Sequence, residues 1–417
     1  MAHLEIANIQ HLRPKVAGDS VAWRPGTGEA LQKLPLIFWD SGEPWSEANQ
    51  WALAMVTENH RKIRTVLSAM RSLLTYATWL ETEDISWSYF PVRGSDRCLT
   101  RYRGYLVQCR DRRQLAPSTV SQRMSAAVRF YRWASGTGLI SPEWPMWEDR
   151  IIGIQISDQF GLQHTLRRIT TNLSIPNRKR AGVLELEEGL MPVSRQRALA
   201  ILDAAKRLAS KEIYLMLLIG FSSGMRVGSI CDLKENTLRN AVPIAGGWYE
   251  LQIGPGARPS VNTKFDVNGR VLLPATVFDL VFDYLNSTRR LLRKANSESD
   301  VEELIFITAR GHSYQRNENG AVNTAMSELR AKAKKEGLKE LNGFRFHQSR
   351  ATFTTILMVE ALNKFPSVSA AVQFVKNVCL HRDVATTMKY VNFVETTDKM
   401  AELADAFTEM FASHVDY

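Results

Sequence analysis

A chain of 417 residues exceeds what one ordinary hydrophobic core supports, and a composition 45% hydrophobic and 23% charged excludes a wholly disordered polypeptide. Lys and Arg number 53 against 43 acids, and the resulting charge of +10 favours a polyanionic partner, nucleic acid or an acidic membrane surface. Cys98, Cys109, Cys231 and Cys379 are scattered without a CxxC pair, which argues for a reducing compartment and against structural zinc.

The N-terminus lacks a basic segment followed by an apolar run, so no secretory signal is expected. Residues 1–45 carry Pro14, Pro25, Pro35 and Pro44 with little periodicity and read as an irregular arm. From 46 to 140 the pattern is helical. Ile63, Leu67, Met70, Leu74, Ala77 and Leu80 form one apolar stripe, leaving Arg64 and Arg71 outward. A second helix is predicted after Pro117, with Thr119 and Gln122 at capping-box spacing. It should turn Val120, Met124, Ala127, Val128 and Tyr131 inward and carry Arg123, Arg129 and Arg132 on its flanks and far side. Between Arg101 and Trp133 there are eight arginines and one acid, Asp111. A solvated face with snorkelling side chains is one reading. So one-sided an imbalance favours phosphate contact, with Arg64, Arg71, Arg123, Arg129 and Arg132 as the candidate residues.

Residues 141–190 contain Pro142, Pro145 and Pro176 and the basic run Asn177-Arg178-Lys179-Arg180, and read as a linker. The apolar Ile151-Ile-Gly-Ile154 equally suits a folded extension of a neighbouring domain. A second domain, 191–417, is predicted to begin with a helix capped by Ser194 and running through Leu199, Ile201, Leu202 and Ala205. Tyr214–Phe221 reads as a buried helix, too short to cross a bilayer. Trp248–Ile253 and Gly269–Pro274 read as short strands within a mainly helical domain.

Several fragments combine cations with one nucleophile: Gly224-Met-Arg226, Lys264 in a loop between the two strands, His347-Gln-Ser-Arg350, and His381 nine residues before Tyr390. Two guanidinium forks match the oxygens of a phosphoryl group bidentately. Histidine can accept a proton, lysine can supply one to a leaving oxygen, and a tyrosine hydroxyl can act as nucleophile in a strongly positive site. Each residue also has a plainer reading. Tyr390, beside Val384, Met388 and Val391, suits a half-buried core position, and the histidines and Lys264 suit structural or surface roles.

In this order the fragments resemble the tyrosine recombinases, or phage-type integrases, over about residues 45–417. The resemblance implies a mainly α, two-domain DNA clamp: a helical core-binding domain and a mainly helical catalytic domain with a small β-sheet. It implies site-specific recombination of an integrase or transposase type, encoded by bacteria or mobile elements, through a 3′-phosphotyrosyl intermediate. Tyr390 would be the nucleophile, with Arg226, Lys264, His347, Arg350 and His381 completing the catalytic set. Neither metal nor other cofactor is called for. The expected partners are double-stranded DNA, further copies of the chain as a tetramer in the synapse, and accessory DNA-bending proteins, with no membrane involvement. A cytoplasmic, nucleoid-associated location follows. A type IB topoisomerase-like enzyme and a non-catalytic DNA-binding regulator are the alternatives. The chain departs from the family pattern at Ser229, where an acid usually buttresses the first arginine, at Ala351, where histidine is common, and at Leu380, where glycine usually precedes the histidine. The stretch from Arg350 to His381 is also longer than typical. Beyond Tyr390, an apolar stripe through Met400, Leu403, Phe407, Met410 and Phe411 reads as a tail helix that packs on its own domain or, as the resemblance implies, docks on a neighbouring protomer.

Overall fold

The computed structural model describes residues 1–397 except 11, 18–19, 27–29, 158–162, 177–185, 187–188 and 300, and gives only the backbone at 17, 25, 152–157, 163–168 and 316–319. The expected tail helix and the run Asn177–Arg180 therefore lie outside the described residues. The chain is mainly helical with small antiparallel sheets and divides into two compact units, residues 1–181 and 182–417.

In the first unit the expected irregular arm is instead built of strands. β1 (His3–Ile9) pairs antiparallel with β4 (Leu31–Phe38), and β2 (Leu12–Ala17) with β3 (Ser20–Pro25). Leu34 and Ile37 of β4 are fully buried. Asn49 pins the strand by accepting from the Ile37 amide at 2.7 Å and donating to its carbonyl at 3.0 Å. Asn49 lies on α1 (Ser46–Thr57), followed by α2 (Ile63–Thr82), α3 (Cys98–Asp111) and α4 (Pro117–Gly136).

The deeply buried face of α2 runs through Val66, Ala69, Met70, Leu73, Tyr76, Ala77 and Leu80; Ile63 and Leu74 of the predicted stripe pack at its edge. All five predicted inward residues of α4 are buried. The capping box is not formed: Ala116 is the N-cap without a side-chain bond, Pro117 opens the helix, and Gln122 donates to Ser68 of α2 at 3.1 Å. An aromatic core surrounds Trp45, with Tyr76 and Tyr131 joined through their hydroxyls at 2.9 Å. The predicted linker is partly folded, since β5 (Asp149–Ser157) and β6 (Gln163–Thr171) form a hairpin and Leu173 and Ile175 join the first unit's core.

The second unit is organised around α6 (Lys211–Ser223), whose Ile213, Leu215, Met216, Leu217 and Ile219 are all buried. Before it lies α5 (Arg195–Leu208), capped as predicted by the Ser194 hydroxyl accepting from the Arg197 amide at 3.2 Å. Helix α5 buries Ala198, Ile201, Ala204 and Ala205 and leaves Leu199 exposed. After α6 come α7 (Val227–Cys231), α8 (Glu235–Arg239), and an antiparallel sheet of β7 (Val242–Ile244), β8 (Trp248–Ile253) and β9 (Gly269–Pro274) in that order. The remaining helices are α9 (Ala275–Leu285), α10 (Thr288–Ala295), α11 (Arg316–Lys335), α12 (Gln348–Lys364), α13 (Val368–Val378) and α14, residues 384–397. Among the described residues no helix is long and apolar enough to cross a membrane.

Two glycines let α12 approach α6 closely. A β-carbon on Gly220 would stand 2.5 Å from the Ser349 hydroxyl, and one on Gly224 would stand 2.4 Å from the Phe353 ring. Gly224 also ends α6 at φ +66, a geometry that glycine adopts without strain. Residues 224–226 and the first turn of α12 are thereby held against each other.

Candidate active site

Arg226 is the N-cap of α7 and Arg350 lies in the first turn of α12. Arg350 is buried and bridges two segments, donating to the Gly224 carbonyl at 2.6 Å and to the Cys379 carbonyl at 2.8 Å. Arg226, half-buried, donates to the neighbouring Leu380 carbonyl at 3.4 Å. Both arginines line one small cleft with Thr263, Ser229 and Leu380. Two guanidinium groups are thus fastened to consecutive carbonyls immediately before His381.

His381 is buried, with Nδ1 2.9 Å from the Thr387 hydroxyl one turn into α14. Its ring stacks on that of Tyr390 at 5.9 Å and 17°. Tyr390 has no exposed surface and packs in a cluster with Met358, Val375, Val391 and Val394. The core reading of this tyrosine is therefore correct for its present position, and more so than the half-buried site expected. His347 is the N-cap of α12 and borders a different cavity of about 470 Å³, shared with Val227, Met326 and Arg330. The fold thus links Arg226, Arg350, His381 and Tyr390 through adjacent backbone and ring contacts, and places His347 on another wall.

Lys264 occupies a short turn, Lys264–Asp266, in the β8–β9 loop and is exposed. Its Nζ lies 5.6 Å from the Phe265 ring, and Arg382, the residue after His381, lies over the same ring at 5.4 Å. Just before the turn, Asn262 is clasped from two sides. Its carbonyl accepts from the Ser229 hydroxyl at 2.8 Å, and its amide donates to the Asp232 carboxylate at 2.6 Å. Burial lifts the Asp232 carboxyl above the usual range, opposed by that amide bond and by Lys234. Ser229, noted in the sequence as a departure near the first arginine, and Asp232, one turn further along, hold the lysine loop. No local pattern announced that role, because their partner is 30 or more residues away.

Leu380 adopts φ +51, the left-handed region where glycine is favoured, and it stands at the position where glycine was expected. Gly269 of β9 makes the room: a β-carbon there would meet the Leu380 side chain at 2.1 Å. The leucine and the facing glycine thus form a complementary pair beneath the His381 turn.

In the first unit Arg64, Arg71, Arg129 and Arg132 are exposed and Arg123 is half-buried. Arg132 pairs with Asp149 at 3.0 Å and Arg101 with Glu83 at 2.8 Å, so the basic segment is partly self-neutralised across elements. Partial burial of its inner atoms and, secondarily, the charge of Arg61 lower the Arg129 pKa.

Residues 193–396 match the sequence profile of the Phage integrase family. That segment is a phage integrase family domain. The fold resembles that of the Tn1549 transposon integrase, solved in complex with a circular intermediate DNA, at 12% identity and a TM-score of 0.50 over 82% of this chain and 94% of that one. A lambda integrase dimer bound to a core site aligns with 83% of this chain and 94% of that one at 12% identity and a TM-score of 0.48. No curated protein matches the chain in sequence.

Proposed function

We propose that the chain is a tyrosine recombinase that cleaves and rejoins double-stranded DNA through Tyr390 in site-specific recombination of an integrase or transposase type. The observation that carries the reading is the fastening of Arg226 and Arg350 to the carbonyls of residues 379 and 380, beside the His381–Tyr390 ring pair. The Tyr390 oxygen forms a bond to phosphorus as the bond to the 5′ oxygen breaks. Once Tyr390 leaves its present buried position and comes within reach, His347 takes the tyrosine proton, Lys264 supplies one to the leaving 5′ oxygen, and His381 hydrogen-bonds the phosphate. Negative charge gathering on the non-bridging oxygens is met by the two guanidinium groups, each worth on the order of a hundredfold in rate. A fully buried Tyr390 cannot reach a phosphate, so α14 must shift before attack. Cleavage is therefore gated by the packing of that helix.

The arginines on α2 and α4, Arg64, Arg71, Arg123, Arg129 and Arg132, contact phosphates in this reading, which the excess of eight arginines over one acid between Arg101 and Trp133 supports. DNA in the solved integrases of similar fold agrees with it. Strand exchange further requires a tetramer on two duplexes, with accessory DNA-bending proteins where the site demands bending.

The test uses nicked duplexes from both flanks of the encoding gene and scores SDS-resistant protein–DNA complexes. Wild type should give a covalent band, and Arg226→Ala and Arg350→Ala should lose it by a hundredfold or more while still binding DNA. Relaxation of supercoils without strand exchange would favour a topoisomerase. DNA binding without any covalent product would favour a regulator.

A further inference from the structure

Phe265 is 59% exposed and holds φ at +66. For a bulky side chain this geometry is strained, and Asp266 repeats it at +54. The ring belongs to no apolar cluster among the described residues, so no packing compensates the strain. The segment is nevertheless held firmly. Asn262 is clasped by Ser229 and Asp232, and the Thr263 hydroxyl donates to the Val267 carbonyl at 2.7 Å, closing the loop. A rigid loop that presents a strained aromatic ring to solvent, next to the lysine of the site, points to contact with a ligand.

The neighbours of the ring indicate which ligand. Lys264 and Arg382 both lie over it, and Arg382 also lines a cavity of about 590 Å³ with Arg270, Lys376 and His381. Cation–π contacts at exposed positions are weak, and phosphate oxygens compete strongly for both cations. We propose that Phe265 is a nucleobase-contacting residue. When DNA enters, Lys264 and Arg382 exchange the ring for phosphates, and the ring stacks on a base beside the phosphate being cleaved. In a duplex the base faces are covered by their neighbours, so the ring reaches one at a partly unstacked step, as apolar wedges do in kinked DNA. The proposal rests on the reading of the site as one that handles DNA, and adds a residue that acts on the base rather than on the phosphate.

Phe265→Gly and Phe265→Trp in the full chain test it, with fluorescein-labelled duplexes from the flanks of the encoding gene as probe. Glycine takes φ +66 without strain, so Phe265→Gly should unfold at a higher temperature than wild type. The same variant should bind DNA about tenfold more weakly, the scale of one lost base stack. The dependence of its affinity on salt should be unchanged, since no phosphate contact is removed. Phe265→Trp should retain binding and show DNA-dependent quenching beyond that of the wild-type tryptophans. A lower unfolding temperature for Phe265→Gly would make the ring a structural anchor and overturn the proposal. Wild-type affinity in that variant, or no extra quenching in Phe265→Trp, would overturn it while leaving the recombinase reading intact. A wild-type protein that neither binds these duplexes nor links to them would overturn both.

Discussion

Replacing Gly224 by alanine probes how the fold brings the two arginines together. The left-handed conformation at φ +66 costs a residue with a β-carbon about 1–2 kcal/mol. The new β-carbon would also stand 2.4 Å from Phe353 Cδ1, over an ångström inside normal contact, and overpacking of this kind costs about 1–3 kcal/mol. Together the loss is about 2–5 kcal/mol. For a unit of this size that lowers the midpoint by at least about 4 °C. Gly228 is the control, because a β-carbon there meets nothing within 4 Å and its φ is not left-handed. Gly228→Ala should therefore be neutral or stabilising by up to about 1 kcal/mol. Urea unfolding of both variants, followed by circular dichroism, measures the contrast. Because the Gly224 carbonyl accepts from Arg350, Gly224→Ala should also depress covalent complex formation beyond its effect on stability. Equal stability of the two variants would refute the close-packing argument.

Other substitutions test separate parts of the account. Gly269→Ala should destabilise the second unit by about 1–3 kcal/mol, and Leu380→Gly should rescue most of that loss, a coupling that thermal unfolding of the double mutant will reveal. Glu212 is fully buried, where burial alone would raise its carboxyl, yet Arg289 at 2.8 Å, with Arg293, holds it below the usual range. A depressed folded pKa adds stability that is fully present above the unfolded value, about 4.3, and is lost as pH falls through the folded value. Glu212→Gln should cost about 3 kcal/mol at neutral pH and flatten the acid limb of a stability–pH curve. DNA affinity should fall steeply between 50 and 200 mM salt, and removing Arg64 and Arg71 together should make that slope shallower by about 2. An unchanged slope would take these residues off the DNA.

Much of the second unit could be read from local signals. Ser194 caps α5, α6 is apolar on nearly every face, and the β8 and β9 strands bracket Lys264 where predicted. What escaped depends on distant partners. The first 45 residues read as irregular because Pro14, Pro25 and Pro35 break the usual strand pattern. Yet β1 closes on β4 through pairs from Ile9–Leu31 to His3–Phe38, and Asn49 satisfies Ile37 from a helix. The capping box failed because Pro117 at the first helical position already starts α4, freeing Gln122 to reach Ser68. At the site, the order of arginines and histidines was readable, whereas the depth of Tyr390 was not. Burial of that ring arises from Met358 on α12 and Val375 on α13 as much as from its own helix. Leu380 at a glycine position makes sense only beside Gly269, 111 residues earlier in the chain.

The central claim is that Tyr390 becomes bonded to DNA, and peptide mapping of the covalent product tests it most directly. Wild-type complexes trapped on a nicked duplex would be digested with nuclease and trypsin and sequenced by tandem mass spectrometry. The account predicts a nucleotide adduct on the peptide that begins at Tyr390, attached through a 3′-phosphate and missing from Tyr390→Phe. An adduct on any other residue, or a covalent product that survives in Tyr390→Phe, would contradict it.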